Sequence, residues 1–153
     1  MDLTALHSYL RTKRETTGLI IVIEKLQEAV FKQNFNLDNA LSKDVPLEEK
    51  DVIEKLIRDS GINIENRQDV QTFLTKLQKE VSSLPTIHII LAISPKEEMI
   101  EAIHNWFYQN YKKTVLLDIS VDETVIGGGV ISFDGKANDY SLRNTISQMQ
   151  SSG

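Results

Sequence analysis

Residues 86–97 read Thr86-Ile87-His88-Ile89-Ile90-Leu91-Ala92-Ile93-Ser94-Pro95-Lys96-Glu97. The run Ile87–Ile93 is almost continuously apolar and rich in isoleucine. β-Branched side chains crowd a helical turn but pack well on a pleated surface, so this run reads as a buried strand. Ser94-Pro95-Lys96-Glu97 then reads as a capping box with proline at the first helical position. The chain before this stretch has helical periodicity, and most of the chain after it has strand periodicity. The junction therefore sets the fold class: α+β, an N-terminal helical bundle over residues 1–84 followed by a small C-terminal α/β domain over residues 85–153.

Moving toward the C-terminus, the helix that opens at Pro95 runs to about Tyr111, with Met99, Ile100, Ile103 and Phe107 expected inward. Trp106 is expected to share the core with Phe107. Tyr108 and Tyr111 are expected to be partly exposed, where aromatic side chains often anchor a partner. Val115, Leu117, Ile119 and Val121 alternate with polar residues, so a second strand comes next. A crossover of this length implies that it lies parallel to the first. Gly127-Gly128-Gly129 leads into a strand at Val130–Phe133, and Asp134-Gly135 is a hairpin-turn signal with Lys136–Asn138 returning. These elements make a βαβ unit plus a hairpin. A terminal helix with Leu142, Ile146 and Met149 closes the chain.

Toward the N-terminus, Pro85 ends the most regular helix, whose stripe is Val70, Phe73, Leu74, Leu77, Val81 and Leu84, with Asn66 as its cap. Pro46 is expected at a first helical position, ahead of Glu48 and Glu49, with Ile53, Leu56 and Ile57 buried and Ser60-Gly61 as the stop. Leu37, Ala40 and Leu41 suit a short helix. The run Leu19–Ile23 alone fits strand or helix, but its continuation at Leu26 and Val30 selects helix. Leu3, Leu6 and Leu10 share one helical face.

Composition narrows the chemistry. With 153 residues and 41% hydrophobic content the chain can bury a core. The absence of cysteine removes disulfides, thiol nucleophiles and thiolate-bound metals, and makes a reducing compartment the default. A net charge of −5 argues against nucleic acid as a partner. The longest dense apolar run, Leu19–Ile23, is far short of the roughly 20 residues a membrane span needs, and Met1-Asp2-Leu3 does not open a signal peptide. Any membrane association is therefore expected to come through a complex.

No reactive constellation emerges. His7, His88 and His104 have no partners at metal-ligand spacing, so neither metal nor cofactor is expected. The three glycines open a strand and lack the Lys-Ser/Thr of a phosphate loop, which leaves positive φ or close backbone approach as their use. Asp118, Asp122, Glu123, Asp134 and Asp139 suit turns and helix starts better than paired catalysis. No Ser-His-acid set can be assembled from spacing. Arg11-Thr12-Lys13-Arg14 reads as a solvated helix end. The residues thus favour a binding or structural role over an enzyme. The alternative is a stand-alone regulatory α/β module whose glycine-rich segment holds a small anionic ligand.

The stretch Val121-Asp122-Glu123-Thr124-Val125-Ile126-Gly127-Gly128, followed by Val130-Ile131-Ser132-Phe133, Asp134-Gly135-Lys136 and Asp139-Tyr140-Ser141-Leu142-Arg143, resembles the C-terminal signature of the ATP synthase delta subunit family, which includes the oligomycin-sensitivity-conferring protein. That pattern runs Val-Asp, an aliphatic residue, Gly-Gly, a strand, a turn, then Asp-x-Ser-aliphatic-Arg into the last helix. The resemblance covers about residues 86–150, and more loosely the helix Asn66–Leu84. Gly129 stands where an aliphatic residue is common, and Tyr140 where glycine is usual. At the N-terminus, His7-Ser8-Tyr9-Leu10 partly echoes the family's Tyr-Ala-x-Ala-Leu.

The resemblance implies a non-catalytic peripheral-stalk subunit of the proton-translocating ATP synthase. Its helical domain would hold the N-terminal segments of the alpha subunits, and its α/β domain would meet the C-terminal region of the b subunit. It would sit on the cytoplasmic side of the cell membrane as a peripheral protein. The signature residues it implies are Val121, Asp122, Ile126, Gly127, Gly128, Asp139, Ser141 and Leu142. Asp122 and Ser141 are expected to serve as turn and cap residues.

Overall fold

The computed structural model describes residues 6, 9–125, 127–133 and 136–139. The chain forms two compact units, one of Met1–Leu10 with Arg14–Leu84, the other of Arg11–Lys13 with Pro85–Gly153. Four of the described helices fall in the first unit, and the four described strands with one helix fall in the second, an α+β arrangement.

The first unit contains helices α1 (Lys13–Val30), α2 (Leu37–Asp44), α3 (Leu47–Ser60) and α4 (Arg67–Ser82). In α1, Leu19, Val22, Ile23, Leu26 and Val30 are buried, so the ambiguous β-branched run is helical because its apolar stripe continues past residue 23. Asn36 caps α2 by accepting from the Asn39 N–H at 2.9 Å. Asn66 caps α4 by accepting from the Gln68 N–H, also at 2.9 Å. Helix α4 buries Val70, Phe73, Leu74, Leu77 and Val81, each contributing about 1.5–3 kcal/mol relative to exposure. Gly61 takes the left-handed conformation at φ 64° and returns its N–H to the Ile57 and Arg58 carbonyls, which stops α3. Pro46 stands one position earlier than expected. Its ψ of 154° is not helical, and its carbonyl accepts the first helical bond from Lys50. Leu6 and Leu10 are buried as their pattern implies, while Leu3 lies outside the described residues.

The second unit is a four-stranded sheet in the order β2-β1-β3-β4, with β1 Thr86–Leu91, β2 Leu116–Val121, β3 Gly129–Phe133, β4 Lys136–Asp139, and helix α5 Glu97–Tyr111 between β1 and β2. Strands β1 and β2 are parallel, as the crossover length requires, and β3 and β4 are antiparallel additions. The core of the unit is Ile87, Ile89, Phe107, Val115 and Leu117, with Ile100, Ile103, Ile119 and Ile131 packed against it. Asp134-Gly135 and the terminal helix expected around Leu142, Ile146 and Met149 lie outside the described residues.

The structure departs from expectation at four further places. First, Ser94 to Glu97 do not form a capping box: α5 begins at Glu97, and Lys96 is its cap without a side-chain bond. The Glu97 carboxylate is held by the Arg11 guanidinium instead of turning back to Ser94. Second, Met99 and Trp106 are exposed, at 43% and 56%. The buried His104 and Phe107 mark the inward face of the helix, and at 100° per residue Met99 and Trp106 fall about 80–160° away from them, together on the flank. Third, burial fades along β2: Leu117 is 1% exposed but Val121 is 48%, because the strand runs past the end of the apolar cluster. Fourth, the basic cluster is only in part a solvated helix end: Lys13 and Arg14 open α1 and are exposed, whereas Arg11 and Thr12 join the sheet. Thr12 bridges to Leu117 in parallel, and the Leu117 N–H donates to the Arg11 carbonyl at 2.8 Å, extending the sheet beyond β2.

Candidate functional site

The residues that the resemblance marks fall in two short stretches, 121–128 and 139–142, and the topology gathers those described at one end of the sheet. Strand β2 ends at Val121, which is level with Leu91 at the end of β1. Leu91 is in turn level with Gly129, where β3 begins. Asp139, the last residue of β4, is paired with Val130. Because the order is β2-β1-β3, the chain leaving Val121 must pass over the end of β1 to enter β3 on the far side. Residues 122–128 make that crossing.

The crossing explains the residue types. The Asp122 N–H donates to the Leu91 carbonyl at 2.9 Å, prolonging the ladder by one bond. The Asp122 carboxylate accepts from the Thr124 hydroxyl at 2.6 Å and from the Thr124 N–H at 2.9 Å, an Asx turn that starts the reversal. Those two bonds, the hydroxyl first, hold its pKa below the usual carboxylate value. Gly127 and Gly128 then take φ of 59° and 82°, a region L side chains rarely enter. Gly129 has a different reason. A Cβ there would lie 2.8 Å from the Ile90 carbonyl oxygen and 3.0 Å from Leu91 Cδ2. The glycine run is thereby accounted for by backbone geometry: two positive φ values and one close approach. Ile126, Ser141 and Leu142 lie outside the described residues.

One face of the sheet carries a polar row. His88 on β1 is in register with Asp118 on β2 and with Ser132 on β3. The His88 Nδ1 lies 3.0 Å from Asp118 Oδ2, and Lys13 Nζ lies 3.4 Å from the same oxygen. Sequence spacing could not assemble a Ser-His-acid row; the strand register does. The histidine side chain is 59% exposed, a solvated contact rather than the shielded imidazole that acyl transfer needs. No set of three His, Asp or Glu side chains converges as a metal site among the described residues.

The concave surfaces are apolar or mixed. In the second unit, Ala102, Ile103, Trp106, Phe107 and Ile131 line a groove of about 520 Å³ between α5 and β3. Trp106 meets Phe107 edge-on at 5.0 Å, and Phe107 stacks on Tyr111 at 5.8 Å. In the first unit, Leu37, Leu41, Ile57 and Ile64 line a smaller groove of about 290 Å³, rimmed by Asp38, Glu54 and Arg58. Elsewhere in that unit, burial and a hydrogen bond to Glu49 raise the pKa of the Tyr9 phenol well above its ordinary value, with Glu48 and Glu15 adding to the effect. Among the described residues no helix is long and apolar enough to cross a membrane.

Sequence reasoning missed the Arg11–Thr12 sheet edge and the exposure of Trp106. A short segment far from its strand leaves no periodic signal. The signal for Trp106 was its place beside the inward Phe107, because neighbours on a helix point about 100° apart.

A family model described as ATP synthase delta (OSCP) subunit matches residues 63–152, more than half of the chain. The match spans α4 and all four strands. None of the curated proteins compared with the chain matches it.

Proposed function

The chain belongs to the ATP synthase delta (OSCP) subunit family, and from that premise we propose that it is the stator link joining the catalytic head of the proton-translocating ATP synthase to the membrane sector. Family membership makes it a structural subunit that associates with other subunits of the synthase. The finer reading divides the labour between a helical domain, residues 1–84, and an α/β domain, residues 85–153. The first binds the N-terminal segments of the alpha subunits, and the second binds the C-terminal region of the b subunit. The protein is then peripheral, on the cytoplasmic side of the cell membrane, and held there through the complex.

The observation that carries this reading is the family match across α4 and the sheet. The physical demands of the role support it. A stator resists torque while the rotor turns, so it needs close-packed interiors, which deform little, and broad docking surfaces. The fully buried stripes of α1, α3 and α4 supply the first, and the apolar grooves of the two units supply the second.

The test is depletion of the chain from its own cells. ATP hydrolysis then persists on heads uncoupled from the membrane sector while ATP-driven proton pumping is lost, and adding back the purified chain restores pumping. Separate pull-downs with an alpha N-terminal peptide and a b C-terminal peptide assign the two domains. Unchanged coupling after depletion, or failure to bind either peptide, overturns the reading.

A further inference from the structure

We propose that the outer edge of β2 is a latent strand-pairing surface for a second copy of this chain, and that the strap Arg11-Thr12 keeps it closed. The proposal stands on the sheet unit alone and does not depend on the stator reading.

Alternation builds the edge. In the order β2-β1-β3-β4, β2 is an outer strand with β1 on one side only. The Leu116 N–H donates to the Pro85 carbonyl at 2.8 Å and the Asp122 N–H to the Leu91 carbonyl at 2.9 Å, so the even-numbered amides turn toward β1. Pairing with β1 runs without a break from Leu116 to Val121. The odd-numbered residues therefore turn their N–H and C=O groups to the outer side. Leu117 is the first of them, and its N–H donates to the Arg11 carbonyl at 2.8 Å. Ile119 and Val121 follow, and among the described residues no strand is paired with them on that side. Such a row of outward backbone groups is a template for another strand.

The edge fits its own copy. Leu117-Asp118-Ile119-Ser120-Val121 reads apolar-polar-apolar-polar-apolar in both directions. Two copies paired antiparallel about a twofold axis at Ile119 would set Ile119 opposite Ile119, Leu117 opposite Val121 and Asp118 opposite Ser120. Outward groups then meet outward groups, apolar side chains meet apolar ones on one face, and no two carboxylates stand opposite each other.

The strap closes this register at one end. Pairing requires the Leu117 N–H, which Arg11 holds, and Thr12 lies alongside Leu117 where the incoming strand would enter. Charge fastens the strap: the Arg11 guanidinium holds the Glu97 carboxylate, and Nζ of the next residue, Lys13, lies 3.4 Å from Asp118 Oδ2. Solvent reaches all four side chains. Ion pairs of this kind are weak and screened by salt, so the fastening is releasable.

Sedimentation and amide exchange on the full chain provide the test. At low salt the wild type is expected to sediment as one copy, with a slow Leu117 amide and fast Ile119 and Val121 amides. In Arg11→Glu with Lys13→Glu both fastenings become repulsions, while a carboxylate in the first turn of α1 suits the helix. At low protein concentration the Leu117 amide of this variant is expected to exchange about tenfold faster, as the loss of one hydrogen bond implies. At high concentration the variant is expected to sediment at twice the mass, with the Ile119 and Val121 amides slowed. Adding Val121→Pro removes an outward N–H at an exposed edge position and is expected to return the variant to one copy. Wild type in about 1 M salt, where charges are screened within about 3 Å, is expected to show the faster Leu117 exchange without any substitution, which keeps the test open if the variant does not fold.

A variant that stays a single copy at every concentration although Leu117 exchanges faster overturns the pairing surface. Leu117 exchange unchanged both in the variant and at high salt overturns the strap. A dimer that Val121→Pro leaves intact forms elsewhere on the molecule and overturns the proposal. A wild type that already sediments at twice the mass with slow Ile119 and Val121 amides does the same.

Discussion

Two glycines in different elements should respond to the same substitution with opposite signs. Gly129 begins β3 opposite Leu91, and an added Cβ would sit 2.8 Å from the Ile90 carbonyl oxygen. A backbone oxygen cannot rotate away as a side chain can. Relief therefore requires β3 to move off β1, straining the ladder bonds beside it. Overpacking of this kind costs about 1–3 kcal/mol, and a weakened ladder bond adds about 0.5–1.5 kcal/mol. The gain from a stiffer unfolded chain offsets about 0.4–1 kcal/mol. Gly129→Ala is thus expected to lose about 2 kcal/mol, roughly 8–16 °C in Tm for a unit of this size. Gly18 lies inside α1, where an added Cβ would meet Glu49 Oε1 at 3.6 Å, an ordinary contact. Gly18→Ala is expected to gain about 0.5–1 kcal/mol from helix propensity. Trp106 emission follows the melting of the sheet unit, and far-UV ellipticity is dominated by the helices. A Gly129→Ala protein that melts with or above the wild type in Trp106 emission would refute the close-approach argument. A lower Tm for Gly18→Ala would show that the helix position is constrained by something other than propensity.

Three further outcomes are expected at the sites described. Gly128→Val forces a β-branched residue to φ near 82°, at a cost of about 1–3 kcal/mol, so melting temperature and recovery of assembled stalk should fall together; normal melting with normal pull-down contradicts this. The raised pKa of Tyr9 means that its contribution to stability is full below the unfolded-state value near 10 and declines as pH rises above it. Ultraviolet titration should show a component ionising above the ordinary tyrosine range, and Tyr9→Phe should remove it. Asp122 has the opposite sign: the benefit of its depressed pKa is present above the unfolded carboxylate value near 3.9 and is lost as pH falls through the folded one. In Asp122→Ala, amide exchange at Thr124 should speed up with the helices unaffected; unchanged exchange at Thr124 would remove the Asx turn from the account.

Local chemistry makes much of this fold legible in the chain. Asn66, Gly61 and the stripe of α4 act through groups within a turn or two of themselves, so spacing reveals their roles. The parallel pairing of β1 and β2 follows from the length of the crossover alone. The capping box at Ser94 is a false signal because Glu97 is claimed by Arg11, more than eighty positions earlier in the chain. Aromatic character misleads at Trp106, whose helical phase sets it on the flank with Met99 rather than in the core.

By itself the sequence determined the fold class, the described helices and the use of the glycine run for backbone geometry. It could do so because periodicity, caps and φ preferences are properties of neighbouring residues. Only the tertiary structure decided that Val121, Asp122, Gly127, Gly128 and Asp139 meet at one end of the sheet, and that Gly129 differs from its neighbours in what it avoids. The physical reason is strand order. With β1 lying between β2 and β3, the chain must cross over the end of β1, and which residues that crossing brings together depends on register, which no local preference encodes.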